Sequence, residues 1–433
     1  MTTWRNWGGN QHARPRSIEN PRDVEEIALL VKRAAGEGQR VKAVGSGHSF
    51  TAAAATDGTL LQLDRLTGVV SADVRSGLVT VRGGTPLHEL NRSLANLGLA
   101  MSNLGDIDRQ TITGATSTGT HGTGTKLGGL ATQIRGLELV TGDGSVLTCS
   151  PDERPEVFAA ARVGLGALGV ITAVTLQCEP AFVLEADERP MPLAQVMDEL
   201  DDLADGNEHF EFYWFPHTDI ALTKRNNRLP ASEPVRPLKP WREWLEDEFL
   251  ANTVFNATSA LAKWRPSVTP RLNGIAAKSL GARTFSAPSY EVFTSPRRVR
   301  FVEMEYAVPR AALRDAIRAV QRVIEQERLL VSFPIEVRVA AGDDIALSTA
   351  SGRESGYVAI HRYRGEPFEP YFRAVEKEML ALDGRPHWGK MHWRTRDDLR
   401  PAYPRFDEFL ALRDQLDPGR VFANPYLDTV LGP

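Results

Sequence analysis

The first half of the chain alternates between helical and strand-like hydrophobic periods. Apolar residues recur at helical spacing over 24–34, behind Asn20 as the predicted cap and Pro21 as the first helical residue. A second helix is predicted over 87–98 from leucines at the same spacing. Short apolar runs predict buried strands at 41–44, 60–63, 77–81 and 173–176.

The pattern changes after Pro180. An aromatic strand is predicted at 209–215, and period-two alternation predicts strands at 333–339 and 357–363. Residues 226–285 are richer in proline, tryptophan and charge, which favours short helices and loops. We therefore place a domain boundary near residue 180.

A tryptophan-rich stripe within this second part has two interpretations. Trp241, Trp244, Leu245 and Phe249 could rest on a membrane surface or pack inside the second domain. Packing is favoured, because Glu243, Glu246, Asp247 and Glu248 would be repelled by anionic lipid.

Composition limits the class of protein. At 433 residues the chain is too long for one ordinary domain, and 42% apolar residues exclude global disorder. The net charge of −4 without a basic block argues against nucleic acid as a partner. No signal peptide and no membrane span of roughly 20 apolar residues is visible, and two cysteines fit a reducing compartment, so a cytoplasmic location is expected.

The glycine loop Gly45-Ser46-Gly47-His48-Ser49-Phe50 follows the predicted strand at 41–44. Its backbone N–H groups suit a phosphate or a cofactor, and His48 adds a group capable of chemistry. Phe50 stands where the dinucleotide fingerprint requires glycine, so that fingerprint is absent. An ordinary strand-to-turn connection with a surface histidine is the alternative.

A second unusual run contains almost only small and hydroxyl residues. From Thr113 to Thr125 the one larger side chain is His121. Such a run cannot build a core, and its hydroxyls and backbone can donate hydrogen bonds to a polar partner. A flexible linker is the weaker alternative, since strand-like segments flank the run closely.

Further candidates for chemistry lie in the last hundred residues. Glu336 and Arg338 project from one face of a predicted strand, as an ion pair of little consequence or as ligand-binding groups. His361 alternates similarly, and a histidine satisfied within the sheet is its alternative role. The cluster at 385–393 holds two histidines, two tryptophans and two cations, without the spacing of a zinc site. No Gly-x-Ser-x-Gly elbow of a serine hydrolase occurs around Ser46.

Taken in order, these motifs resemble the aldonolactone oxidoreductases, flavoproteins of the vanillyl-alcohol-oxidase type. The likeness rests on five segments, at 45–50, 118–124, 166–170, 336–338 and 387–390. It implies an α+β, two-domain (PCMH-type) fold. Residues 1–180, completed by a C-terminal tail at 411–433, would form an FAD-binding domain of two α/β subdomains, and residues 181–410 a cap with an antiparallel sheet.

The resemblance also implies roles for individual residues. His48 would be covalently attached to the 8α-methyl carbon of FAD, and no metal is expected. Further cofactor-binding residues would be Ala43, Val44, Gly45, Ser46, Gly47, Ser49, Gly105, Asp106, Thr111, Gly114, Thr118, Gly119, Thr120, His121, Ile171 and His387. Glu336, Arg338 and Lys390 would be catalytic, with Glu336 assisting deprotonation of the hydroxyl while the two cations stabilise negative charge as hydride passes to flavin N5. The substrate would touch those three residues together with Asp106, His361 and Tyr363.

The implied activity is FAD-dependent oxidation of a sugar 1,4-lactone, with L-gulono-1,4-lactone as the expected substrate and L-ascorbate formed through the 2-keto lactone. Alditol oxidation is the alternative, although Asp106 and Tyr363 replace a serine and a threonine of the alditol oxidases. A flavin-binding protein without turnover is the alternative from another class. Gly105 occupies the position that tunes oxygen access, so oxygen, a quinone and cytochrome c all stay open as electron acceptors.

Overall fold

The computed structural model describes residues 3–433, and its N-terminal part contains a small parallel sheet. After a short ribbon of β1 (Trp4–Arg5) and β2 (His12–Ala13), strands β3 (Ser17–Glu19) and β4 (Val41–Val44) flank β5 (Thr59–Gln62) in parallel. Parallel neighbours need a crossover, which α1 (Val24–Gly36) provides.

The cap of α1 differs from the prediction. Asp23, and not Asn20, is the N-cap, because its carboxylate accepts the Glu26 backbone N–H at 2.8 Å. The Arg22 N–H in turn donates to the Glu26 side chain at 2.8 Å. The helix therefore begins at Val24.

An antiparallel five-stranded sheet completes the N-terminal part. Its strands are β6 (Val69–Asp73), β7 (Leu78–Arg82), β9 (Ile134–Val140), β10 (Val146–Cys149) and β11 (Val170–Gln177), in the order β10-β9-β11-β7-β6. The short strands β8 (Leu99–Ala100) and β12 (Glu179–Pro180) pair beside it. The helices of this part are α2 (Leu87–Asn96), α3 (Ile112–Ser117), a 3-10 turn at Leu130–Gln133 and α4 (Pro155–Ala161).

A large antiparallel sheet dominates the rest of the chain. Its strands are β13 (Val183–Pro192), β14 (His209–Trp214), β15 (Ile220–Arg228), β16 (Arg283–Pro288), β17 (Phe301–Pro309), β18 (Ile335–Ala340), β19 (Ser355–Tyr363) and β20 (Arg385–Pro386). Their spatial order is β16-β13-β15-β14-β18-β19-β17-β20.

Helices surround this sheet and form the C-terminus. They are α5 (Leu193–Asp198), α6 (Leu200–Asp205), α7 (Pro240–Glu243), a π-helical segment Trp244–Val254, α8 (Phe255–Trp264), α9 (Thr269–Ser279), α10 (Ser289–Phe293), α11 (Leu313–Gln326), α12 (Glu369–Leu380), α13 (Arg396–Leu399), α14 (Phe406–Leu416) and α15 (Pro425–Leu431), with 3-10 turns at Pro266–Val268, Arg310–Ala312 and Arg400–Ala402. No helix among residues 3–433 combines the length and apolar character needed to cross a bilayer.

There are two large hydrophobic cores, one beside the five-stranded sheet and one beside the eight-stranded sheet. One joins the five-stranded sheet to residues of α14 and α15, so the C-terminal tail packs against the N-terminal part. The other lies between the eight-stranded sheet and α11 and α12. The first core already includes Leu399 and Phe406, ahead of the predicted tail at 411–433. The domain limits given above stay a prediction.

Two sequence-based expectations differ from the structure. The small-residue run folds partly into α3, and several of its hydroxyls are already used: Thr113 donates to the Gly83 carbonyl at 2.8 Å and Thr116 to that of Ile112 at 2.9 Å. The tryptophan stripe was expected to pack inside the second domain, which is wrong for three of its four members, since Trp241, Trp244 and Phe249 are 63%, 59% and 39% exposed.

Candidate active site

The eight-stranded sheet has one apolar face and one charged face. Because successive side chains of a strand point to opposite faces, Val337 and Val339 join the core beneath α11 and α12, while Glu336 and Arg338 point the other way. The register sets Glu211 opposite Arg338 and Glu303 opposite His361. Four adjacent strands therefore bring ionisable groups to one surface.

Arg338 lies between two carboxylates on this surface. Its guanidinium contacts Glu336 at 2.6 Å and donates from Nε to Glu211 at 2.7 Å. The Tyr213 hydroxyl donates to Glu211 at 3.2 Å, and Lys224 lies 3.6 Å from the same carboxylate. Glu211 and Glu336 thus bind two different nitrogens of one guanidinium, Nε and Nη2.

Lys390 is held by a carboxylate that the sequence did not single out. Its ammonium forms a short ion pair with Glu303, whose other oxygen lies 3.5 Å from His361 Nε2. The backbone N–H groups of Met391 and His387 donate to the carbonyls of Glu303 and Glu305, which anchors the lysine loop along β17. Glu303 is therefore placed to orient both Lys390 and His361.

Glu305, His121 and His387 form a third buried group. The His121 ring nitrogens face the Glu305 carboxylate at 3.0 Å and the Gly122 carbonyl at 2.8 Å. Potential ligand atoms of the three residues lie within 4.8 Å of one another, as a metal site would require. Glu305 is already paired with His121, and the absence of a metal stays a prediction.

The four carboxylates on this face differ in pKa. Burial raises the pKa of Glu336, and Glu211 adds to this effect against the opposing charge of Arg338. Burial is the largest single effect on Glu211, Glu303 and Glu305 as well, yet their charged and hydrogen-bonding neighbours, led by Arg338, Lys390 and His121 respectively, together outweigh it and lower the three pKa values. Glu336 is thus the carboxyl on this face whose proton is held more tightly than usual.

The glycine loop closes the same cleft from the opposite side. His48 stacks on Trp7 with ring centroids 5.3 Å apart, and burial together with Lys390 lowers the pKa of His48 to about 4. The Phe50 N–H donates to the Gly389 carbonyl at 2.7 Å, which ties the glycine loop to the segment that carries Lys390. The imidazole is therefore neutral at physiological pH, and its ring nitrogens have no hydrogen-bond partner among residues 3–433.

A second cleft continues from the first through His48, Ser49, Gln110 and Thr118. The two spaces measure about 1130 and 850 Å³, the solvent at their open mouths included. The backbone N–H groups of residues 46–49 find no acceptor among residues 3–433, so they are available to an anionic partner. A cleft of this size with unpaired amides fits the pyrophosphate of a dinucleotide.

Most predicted site residues line one of these clefts. The first is lined by His48, Ser49, Gly105, Asp106, Thr118, Thr120, His121, Glu336, Arg338, His361, His387 and Lys390. The second is lined by Ala43, Val44, Gly45, Ser46, Gly47, His48, Ser49, Thr111, Gly114, Thr118 and Ile171.

Two predicted site residues lie outside both clefts, and the side chain of a third already has hydrogen-bond partners. Gly119 and Tyr363 line neither cleft, and the Tyr363 hydroxyl donates to Asn256 at 2.9 Å. Asp106 lines the first cleft, but its carboxylate accepts from Ser295 at 2.5 Å and from Arg297 Nε at 2.7 Å. The substrate role predicted for Tyr363 therefore has no support from the cleft.

Several residues of the site were missed by reasoning from sequence. Glu211, Arg297, Glu303 and Glu305 line or support the charged face. A signal for three of them was present: charged residues at every second position of otherwise apolar strands, as in Phe-Val-Glu-Met-Glu-Tyr at 301–306. Arg297 lies in a loop, where no periodicity marks it.

Residues 15–150, which include the glycine loop of the second cleft, match the family described as FAD binding domain. Together with the charged sheet face above it, this match defines an FAD-dependent oxidoreductase. Residues 174–430 match the family described as D-arabinono-1,4-lactone oxidase. The chain belongs to this family of aldonolactone oxidoreductases, as the sequence motifs predicted.

Related proteins cover the chain almost completely. An L-gulono-1,4-lactone dehydrogenase from Mycobacterium tuberculosis is 46% identical over 99% of both chains. An L-gulonolactone oxidase from Bos taurus is 35% identical over 99% of this chain and 98% of its own. An alditol oxidase from Streptomyces sp. is 32% identical over 98% of each.

Solved structures confirm the predicted fold. A cholesterol oxidase from B. sterolicum superposes with a TM-score of 0.82 and 17% identity, covering 100% of this chain and 96% of that one. This likeness shows the two-domain vanillyl-alcohol-oxidase fold and nothing about the substrate.

Proposed function

We propose that the chain oxidises L-gulono-1,4-lactone at the hydroxyl next to the lactone carbonyl, giving the 2-keto lactone that rearranges to L-ascorbate. The observation that carries the proposal is the convergence of Glu336, Arg338, His361 and Lys390 on the cleft that His48 closes. The identity of 46% to a protein named L-gulono-1,4-lactone dehydrogenase supports the choice of substrate.

The residues divide the work between proton removal and charge stabilisation. Oxidation of the hydroxyl releases one proton from oxygen, and the two electrons leave with the hydrogen on carbon. FAD, when bound, supplies the two-electron acceptor. Glu336 takes the proton, since its raised pKa brings a carboxylate base closer to working pH. Arg338 and Lys390 stabilise the negative charge that develops on the substrate oxygen.

The cofactor-side residues have matching roles. The amides of residues 46–49 would hold the pyrophosphate, and His48 would form the covalent link through a neutral ring nitrogen. His387 accepts the Gly389 N–H at its Nδ1, and burial lowers its pKa to about 4. The neutral ring therefore carries its proton on Nε2 and offers one donor inside the cleft.

An anaerobic stopped-flow screen tests the proposal. L-gulono-1,4-lactone should bleach the flavin faster than any alditol, and faster reduction by an alditol would reject the assigned substrate. Glu336→Gln should slow reduction by about 100-fold or more, the usual range for loss of a catalytic base. Glu376→Gln is the matched control, because that buried carboxylate accepts from Tyr306 and Trp393 outside the cleft. Equal rates in the two variants would disprove the role of Glu336.

Reoxidation of the reduced flavin tests which electron acceptor the protein uses. Oxygen, a quinone and cytochrome c are added in separate mixing experiments. The fastest of the three identifies the class of acceptor, on which the names of the relatives differ.

A further inference from the structure

The helix α8 presents an apolar stripe to solvent. Ala257, Ala260, Leu261 and Trp264 are exposed at positions i, i+3, i+4 and i+7, which lie on one face of a helix. Its opposite face buries Ser259 and Ala262. An ordinary surface helix instead turns its apolar face into the protein and its polar face to solvent.

Neighbouring helices extend the exposed apolar surface. Trp264 is 80% exposed at the end of α8, and Ile275 is 64% exposed on the following helix α9. Trp241 and Trp244 are exposed shortly before α8. Tryptophan with aliphatic residues in this arrangement is typical of helices that lie in a membrane interface.

The charged side chains of the same segment are all basic. Between Glu248 and Glu291 the sequence contains no acidic residue and five basic ones. Four of them are exposed: Lys263, Arg265, Arg271 and Lys278. On α9, Arg271, Ile275 and Lys278 share one face, so cations flank the apolar residue.

Three of the four acidic residues near Trp244 are paired with local cations, and the exposed Glu243 is the fourth. Glu246 pairs with Arg242 at 2.6 Å and with Arg283 at 3.1 Å, and Asp247 pairs with Arg283 at 2.9 Å. Glu248 is 2.7 Å from Arg298. Their repulsion of anionic lipid is therefore largely neutralised by local partners.

We propose that α8 and α9 dock onto an anionic lipid surface, with Leu261, Trp264 and Ile275 entering the headgroup region and the four exposed cations contacting lipid phosphates. Docking of this kind is peripheral and needs no spanning helix. It is independent of the substrate proposed above.

Vesicle co-sedimentation of the full FAD-loaded chain tests the proposal. The protein should sediment with vesicles of equal parts phosphatidylcholine and phosphatidylglycerol, but not with phosphatidylcholine alone, and added salt should release it. Arg271→Gln with Lys278→Gln should weaken binding about 25-fold, from about 1 kcal/mol for each basic residue at the surface. Leu261→Ala with Trp264→Ala should also weaken it, and tryptophan emission should lose its vesicle-dependent blue shift.

Leu29→Ala with Arg75→Gln is the matched control, since both residues are exposed on the N-terminal part. Equal binding by the control and the helix variants would overturn the proposal. A dimer in light scattering that the helix variants abolish, without any vesicle binding, would instead assign the surface to a second copy of this chain. Thermal melting and flavin reduction by lactone should be unchanged in every variant, which separates docking from folding and catalysis.

Discussion

Replacing Glu303 by glutamine should convert Lys390 from a permanent cation into a titrating one. Burial opposes the charge on Lys390, but Glu303 and then Glu305 raise its pKa, so the unmodified chain keeps the ammonium protonated at alkaline pH. Two unit charges about 4 Å apart at an effective dielectric constant of 20 interact by about 4 kcal/mol. Since one pKa unit corresponds to about 1.4 kcal/mol, the Lys390 pKa should fall by roughly three units in Glu303→Gln.

The measurement is the pH dependence of anaerobic flavin reduction by lactone. Loss of the proton from Lys390 removes a stabilising charge, so the rate should decline as pH rises through the lowered pKa. The alkaline limb should therefore begin about three pH units earlier than in the unmodified chain. Glu376→Gln, a buried carboxylate outside the cleft, should lose stability without gaining this limb. A flat alkaline profile in Glu303→Gln would show that Glu303 only stabilises the fold.

Three further changes test other parts of the site. His48→Ala should leave FAD extractable by acid precipitation, whereas colour that stays with the precipitated variant protein would disprove the linkage. Gly45→Ala places a Cβ 2.2 Å from Thr111 Oγ1, so flavin content should fall and the free energy of unfolding should drop by about 1–3 kcal/mol; unchanged melting would contradict this. Glu211→Gln removes a carboxylate that raises the pKa of Glu336, so the acid limb of flavin reduction should move to lower pH, and an upward move would refute the assignment.

Strands and motifs were accessible from the sequence because their signals are local. The predicted strand at 41–44 is confirmed as β4, and the alternating runs around Glu336 and His361 are confirmed as β18 and β19. Glycine loops are likewise recognisable from their residues alone. The family resemblance joined these pieces into one fold.

Pairings between distant strands could not be deduced in the same way. Glu303 is a buried charge on an apolar strand, but nothing in the sequence indicates that Lys390, 87 positions later, is its partner. The ion pair of Asp106 with Arg297 depends on a contact across 191 positions between two loops. Such contacts arise from sheet order and loop docking, which period and composition do not encode.

The four carboxylates of the charged face show why one of them can act as the base. Glu211, Glu303 and Glu305 are paired with Arg338, Lys390 and His121, and these partners lower their pKa values. Glu336 shares Arg338 with Glu211, so it receives only part of the compensating charge while burial and a neighbouring carboxylate raise its pKa. Environments that push the pKa values of similar groups apart assign them different tasks. The three residues overlooked in the sequence therefore do more than fill the core: Glu303 and Glu305 keep Lys390 charged, and Glu211 helps to keep Glu336 basic.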